Sequence, residues 1–497
     1  MTRSMQDIRM RYSPLWAGLI CTVLYLFFPT NNSTSDAYGY AMGAEIGPHH
    51  LLFDLLTQWL RTTWHLTPLQ VLAGMKGINA IAGGIAIVCA GNILKKMEVP
   101  FVFWNSMLCG VSFGMMRFAT ENEAYILPLA FALAATYSYV QYLIQDKGIH
   151  IISTWICIAV AILFHQSYIF WALGIFISMV LQKKHLSRLF IPVIAAIGVI
   201  LFYTFFALKQ QQQLAHWVVQ DAQEGLVDLS PGIENFKFTA MNLVRSFIQI
   251  HGNIPILLHG SFYLWILAAI SVVFLIISVG ILVTKTKLIN HSNNKHFLHL
   301  FIWIFLLHLG FAWFSVGNAE FMVMLPTILV FIVAIFFSVK RMALVFLTLG
   351  MALWNLSASI IPLSKKDLNY RSTEVQKVHG LGDAIFISHH RVELENYIAV
   401  HESSGTIKNA SFPLLLKSPA DAENEDDLSQ FIALQQLAGK RIYTDCIHYP
   451  EIQNRKNMLG GNKNDAFFQQ YTTTVVDSFP ILAGWVYISR IEGKKNP

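Results

Sequence analysis

Residues 261–284 read SFYLWILAAISVVFLIISVGILVT, twenty-four positions without a single charge. As a helix rising 1.5 Å per residue this run spans roughly 36 Å, and a hydrocarbon core of about 30 Å takes roughly 20 apolar residues. Backbone polar groups in lipid must be satisfied within the segment, so the run reads as a transmembrane helix. Similar runs lie on both sides, at 13–30, 68–94, 100–118, 124–144, 149–164, 166–182, 189–208, 297–315, 320–338 and 342–362. Together they predict about eleven spans, or an even count if one pair is merged or split. The run at 149–164 is short and the turn behind it is tight. Composition agrees. Of 497 residues, 55% are apolar or aromatic and 13% are charged, against about 25% charged in soluble domains. Mean hydropathy is +0.49. These figures exclude a disordered chain, a collagen-like repeat and a disulfide scaffold. Four of the five cysteines sit in apolar runs as small packing residues, and Cys446 is alone in the polar tail.

Net charge is +6, but its distribution says more than its sum. Arg3, Arg9, Arg11, Lys95, Lys96, Lys147, Lys183, Lys184, Arg188, Lys285, Lys287, Lys295, Lys340 and Arg341 fall in one set of connections. The alternate set holds chiefly Arg61, Arg117, Lys209, Lys237 and Arg245. The positive-inside rule then puts the N-terminus in the cytoplasm, with the first span as an uncleaved signal-anchor. An odd number of spans leaves the C-terminal region outside. Three external pieces are large: 31–67, 209–260 and the tail 363–497. The second carries a Gln run at 210–213. In its 233–250 segment Leu243, Val244, Phe247 and Ile248 share a helical face, which suits an interfacial helix. The tail alternates short apolar runs (384–387, 475–479, 485–488) with polar stretches such as 420–428, predicting a small α/β domain. The predicted architecture is an all-α polytopic bundle, residues 1–362, followed by a soluble extracytoplasmic α/β domain, 363–497.

Unusual side chains gather on the external side. The first loop holds Asp36, Glu45 and Pro48-His49-His50-Leu51-Leu52-Phe53-Asp54. The next holds Arg117 and Glu121-Asn122-Glu123-Ala124-Tyr125. The following two are Phe164-His165-Gln166-Ser167 and Val316-Gly317-Asn318-Ala319-Glu320-Phe321. Ionisable groups at span ends facing a bundle are functional candidates by default. Each also has a plainer reading. Asp36 reads equally as a helix-cap acid. The histidine pair suits the headgroup region. Glu121 and Glu123 suit the positive end of a helix dipole. Arg117 can snorkel. Asn318 and Glu320 can form a cap. Lys76, inside the second span, can pair with a carboxylate. His299 and His308 read as packing or hydrogen-bonding residues. It is the joint placement on one side that carries the signal.

With these residues in view, the sequence resembles the GT-C integral-membrane glycosyltransferases over about residues 10–340. Asp36 followed by Pro48-His49-His50-Leu51-Leu52-Phe53 is similar to a bacterial branch with an Asp and "HHLLY". Glu123-Ala124-Tyr125-Ile126-Leu127-Pro128 resembles its "E-x-Y-x-L-P" element, Phe164-His165-Gln166 its "F-H-Q/T" turn, and Gly317-Asn318-Ala319-Glu320-Phe321 with Leu325-Pro326 its "G-N-x-E/K-F…LP" segment. Two departures stand out. Phe53 replaces the Tyr, and Ala37 follows Asp36 where protein mannosyltransferases carry a second acid.

The resemblance implies a sugar donor on a polyprenyl phosphate and inverting transfer, outside the membrane, to a glycan, lipid or protein acceptor. Residue chemistry agrees. A phosphate leaving group needs no general acid, so one carboxylate acting as base on the acceptor hydroxyl is enough. Asp36 is the catalytic candidate. The departing phosphate needs cations or donors. Arg117, Lys76, His49, His50 and His165 are the candidates, with Arg favoured for bidentate contact. Glu121, Glu123, Asn318 and Glu320 are candidates for the acceptor or for a divalent cation, although no close-spaced ligand motif is present. No other cofactor and no nucleic-acid partner is expected. Two alternatives differ in class. A transporter or lipid flippase puts charges near the midplane and shows two similar halves; here charges sit at one surface and no halves are visible. A polysaccharide polymerase or ligase relies on a large basic external loop, and 209–260 has few basic residues.

Overall fold

The computed structural model describes residues 3–43, 50–182, 188–209, 232–250, 254–288, 295–315, 317–407, 412–419, 425–447, 463–481 and 484–495. Glu45, His49, the Gln run at 210–213 and most of the 420–428 stretch lie outside the described residues. The chain forms two compact units. The first is Met1–Thr30, Glu45–Leu60 and Ala73–Ser364; the second is Asn31–Ala44, Arg61–Leu72 and Lys365–Pro497.

The first unit is helical. Among the described residues seven helices are long and apolar enough to cross a membrane, and three shorter apolar helices cover Tyr12–Phe27, Gly148–Phe164 and Gln166–Leu181. These ten correspond to ten of the expected runs. The exception is 100–118, which is broken into helices Val102–Gly110 and Phe113–Ala119. No proline causes the break. It persists because the freed carbonyls find partners: the Tyr25 hydroxyl donates to Gly110 O at 2.6 Å, and Asn355 Nδ2 donates to Val111 O at 2.9 Å. Non-helical backbone at membrane depth is tolerated where protein satisfies it in this way. Elsewhere the helices approach closely through small residues. A Cβ on Gly84 would lie 1.8 Å from Thr22 Oγ1, so the crossing of helices Arg3–Phe27 and Pro68–Lys96 requires glycine there. Ser271 and Ser278 donate across helices to Gly350 O and Ala343 O. His308 is fully buried among the rings of Tyr168, Phe170 and Trp171, and neither of its nitrogens has a hydrogen-bond partner, so of the two expected roles it takes packing alone.

The expected amphipathic segment forms helix Ile233–Phe247. Its apolar face is divided. Leu243 and Phe247 pack inward, whereas Val244 is exposed, and Ile248 is already past the helix end.

The second unit is α/β. Its strands are β1 (Ala384–Ser388), β2 (Leu414–Lys417), β3 (Arg441–Thr444), β4 (Tyr471–Ile481) and β5 (Gly484–Lys494), in the order β2-β1-β3-β5-β4. β1 runs parallel to β2 and β3, with Ile385 opposite both Leu414 and Ile442; β5 is antiparallel to β3 and β4. Every residue of β1 is buried, as befits a central strand covered on both faces. Ala384 and Phe386 pack with Val375, Val378 and Leu394 on one side; Ile385 and Ile387 pack with Ile432, Phe467 and Phe468 on the other. The period-2 alternation separates these two cores. All five cysteines are free, and burial pushes the Cys446 thiol well above its usual range, so it stays a packing thiol.

An ionic cluster joins two helices of this unit. Glu393, on helix Arg391–Ser403, accepts from Tyr370 and Arg371 of helix Tyr370–His379 and lies 3.2 Å from His390 Nδ1. Burial alone would raise the Glu393 carboxyl, but the His390 bond and the Arg371 charge outweigh it and hold it down to about 2. An unfolded glutamate titrates near ~4.3. A depressed acid contributes stability that is present above that value and is lost as pH falls towards the folded one. Hydrogen exchange of the 391–403 amides should therefore speed up on acidification through this window. In E393Q it should already be faster at pH 7 and change less with acid; unaltered acid dependence in E393Q would contradict the assignment.

Candidate active site

In the first unit, the site is built around the loop that joins helix Phe113–Ala119 to helix Ile126–Gln145. The short helix ends at Ala119, where Thr120 caps it, its hydroxyl donating to Met116 O and Arg117 O. The next helix starts only at Ile126 and has no acid in its first turn. Glu121 and Glu123 therefore precede the helix and do not serve its dipole, contrary to the plainer reading. Glu121, Asn122 and Glu123 are nevertheless buried. The loop stays in place because Asn79 Nδ2 donates to both Glu121 O (2.7 Å) and Glu123 O (2.8 Å). Thr30 N also donates to Thr120 O at 3.1 Å.

The Glu121 carboxylate is the hub. Arg117 Nη1 donates to its Oε2 at 3.1 Å, Asn122 N donates to its Oε1 at 2.9 Å, and Lys76 Nζ lies 3.8 Å from Oε1 while donating to Thr30 O at 2.7 Å. Arg117 does not snorkel; it turns to Glu121 one helical turn on. Lys76 pairs as its plainer reading expected, and it does so with the same carboxylate. A third cation stands beside them. Arg245, from helix Ile233–Phe247, lies over the Phe113 ring at 5.7 Å, one turn before Arg117. Burial, with the like charge of Arg117 behind it, holds the Arg245 guanidinium below its usual range. Lys76 and Arg117 thus share the Glu121 carboxylate, and Arg245 adds a third positive charge near Arg117.

A second group is aromatic. The His50 and His165 rings are 4.4 Å apart, and Tyr125 lies 5.0 Å from His165. His165 begins the Gln166–Tyr168 turn, its Nδ1 accepting from Ser167 N at 3.2 Å. The Tyr125 hydroxyl donates to Glu320 Oε2 at 2.7 Å. Asn318 caps the Ala319–Met322 turn by accepting from Glu320 N at 3.0 Å, so its plainer reading holds. Phe321 closes on His165 edge-on at 6.0 Å. The two groups are joined through the 120–125 loop.

The other candidates are distributed differently. His49 lies outside the described residues. Asp36 belongs to the second unit, in the first turn of helix Ser35–Met42, and its side chain is exposed. Among the described residues no three His, Cys, Asp or Glu side chains come together to hold a divalent cation, and Glu121 is committed to Arg117 and Lys76. Sequence reasoning passed over Asn79 and Arg245. Asn79 had a signal, since it lies three residues after Lys76 on the same helical face. Arg245 had only the oddity of a cation in an amphipathic stretch.

Glu121 also makes a stability prediction. Breaking a buried pair by removing one partner leaves an uncompensated charge and costs about 3–5 kcal/mol. E121Q strands Arg117 and Lys76 together, so its melting temperature in detergent should fall clearly below that of the parent. An unchanged melting curve would mean that solvent screens the cluster.

No protein-family model matches the chain, and no curated protein matches it. Among solved structures the chain is similar to ArnT from Cupriavidus metallidurans, both bound to undecaprenyl phosphate (10% identity, TM-score 0.46) and in the apo state (11% identity, TM-score 0.46). In each case 98% of this chain and 98% of the other are covered.

Proposed function

We propose that this protein is an inverting GT-C-type glycosyltransferase that moves a sugar from a polyprenyl-phosphate donor to an acceptor hydroxyl on the outer face of a bacterial inner membrane. The observation that carries the reading is the pairing of both Lys76 and Arg117 with the buried Glu121 carboxylate, with Arg245 near Arg117. A phosphate is the anion that such clustered cations favour. The motif resemblance from Asp36 to Pro326 and the charge bias of the connections support the same assignment, with the N-terminus cytoplasmic and the tail extracytoplasmic.

In the proposed reaction the acceptor oxygen attacks the anomeric carbon from the face opposite the phosphate. The bond from that carbon to the phosphate oxygen breaks, and its electron pair leaves with the polyprenyl phosphate. The acceptor proton goes to Asp36, the proposed base. Arg117 and Lys76 hold the growing charge on the phosphate. His50, His165 and Tyr125 offer rings and nitrogens to the sugar or the phosphate.

The test uses purified protein with a panel of sugar-labelled polyprenyl-phosphate hexoses and pentoses and an extract of the source envelope. Transfer with inversion, read by NMR of the product linkage, is expected for one donor. Movement of the lipid across proteoliposomes with no glycosidic product would instead support the flippase.

A further inference from the structure

We infer that the C-terminal domain holds the helix bearing Asp36 in register, through Asn32 and Tyr38 as positioning residues; this rests on the proposed role of Asp36 as base. Helix Ser35–Met42 has only eight residues, too few to be stable alone in water. It lies early in the chain, yet it belongs to the compact unit formed by the tail.

Three sets of contacts fix it there. Asn32 uses both ends of its amide on one tail segment: Nδ2 donates to Lys366 O at 2.7 Å, and Oδ1 accepts from Leu368 N at 2.7 Å. A bidentate amide of this kind pins position and direction together. Asn369 Nδ2 then donates to the Tyr38 hydroxyl at 3.2 Å. The Tyr38 ring meets Tyr397 edge-on at 5.3 Å and His401 at 6.1 Å. Ala37, Tyr38 and Ala41 are buried with Leu72 and Val400. The helix ends are set as well. Thr34 Oγ1 accepts from Ala37 N at 3.2 Å, and Gly43 closes the C-terminus at a φ of 54°.

The consequence concerns Asp36. Its neighbours in sequence, Ala37 and Tyr38, face the tail core, so Asp36, one residue before them, projects from the opposite side and is exposed. A base must sit within hydrogen-bond reach of the proton it takes, and misplacement by about 1 Å can cost 10²-fold. The Asn32 staple, four residues upstream, holds the chain from which that direction is set. On this account the tail is part of the catalytic apparatus without touching substrate.

The experiment has two arms. Hydrogen exchange of the 35–43 amides is followed in N32A and Y38F of the full chain; exchange about tenfold faster or more is expected in N32A, with a smaller rise in Y38F. Transfer is then measured in a double-mutant cycle of N32A with D36N, using the polyprenyl-phosphate donor found active in the panel. N32A alone should lower kcat about tenfold or more with an unchanged KM for the donor, and should lower it hardly further in D36N, because both act through one group. N32D, which keeps the acceptor for Leu368 N–H, should fall between. Unchanged exchange in N32A overturns the inference. So does an equal loss of kcat in both backgrounds, the mark of general damage. Full activity in D36N removes the base and the inference with it, while the exchange arm still reads the staple by itself.

Discussion

D36N is expected to lower kcat by about 10²- to 10⁴-fold, the range for a positioned general base. KM for the lipid donor should change little, because in the proposed reaction the carboxylate acts on the acceptor proton and not on the phosphate. Asn is nearly isosteric, and the Asp36 side chain is exposed on a helix already capped by Thr34, so the fold should tolerate it. The measurement is transfer of labelled sugar under single-turnover conditions, with melting temperature as the control for folding. D36E keeps the carboxylate one methylene further out and should recover part of the rate. A D36N protein of normal stability and full rate would remove Asp36 from the chemistry.

The second large effect belongs to Arg117. Removing one preorganised charge-stabilising donor typically costs about 10²–10³ in kcat. R117A should fall in that range, and R117K should regain only part of it, because an ammonium is a point charge and cannot present two parallel donors to phosphate oxygens. Inhibition by added polyprenyl phosphate, the leaving lipid of the proposed reaction, should weaken in the same order. That readout separates phosphate binding from the structural pairing of Arg117 with Glu121, which holds at 3.1 Å and which R117K preserves in charge. If R117A kept both its rate and its inhibition, the cation cluster would be an internal ion pair only, and the anion would bind elsewhere.

Much of this architecture was legible because burial leaves a local trace. Unbroken apolar runs marked ten of the described helices. The buried strand Ala384–Ser388 showed as a short apolar run between polar stretches. The loop 117–125 drew attention by setting Arg117, Glu121 and Glu123 between two greasy runs. Other features left no such trace. The break after Gly110 contains no proline, and it depends on Tyr25 and Asn355, residues 85 and 244 positions away from the carbonyls they serve. Arg245 comes near Arg117 through packing on Phe113, 132 positions upstream in the numbering, and its own neighbourhood shows only a cation in an amphipathic stretch. The pairing of Lys76 with Glu121 depends on helix Pro68–Lys96 passing the loop.

By itself, then, the amino-acid order determined which segments leave water, where the charged connections fall, and which acidic, basic and imidazole groups stand at the ends of spans. Those properties follow from transfer free energy and periodicity, which are summed over neighbours along the chain. Only the tertiary structure decided that Glu121 collects both Lys76 and Arg117 and that the Asp36 helix folds with the tail rather than with the spans that flank it. Charge neutralisation and side-chain docking act between residues far apart in the chain, at distances of a few ångströms that no local pattern encodes.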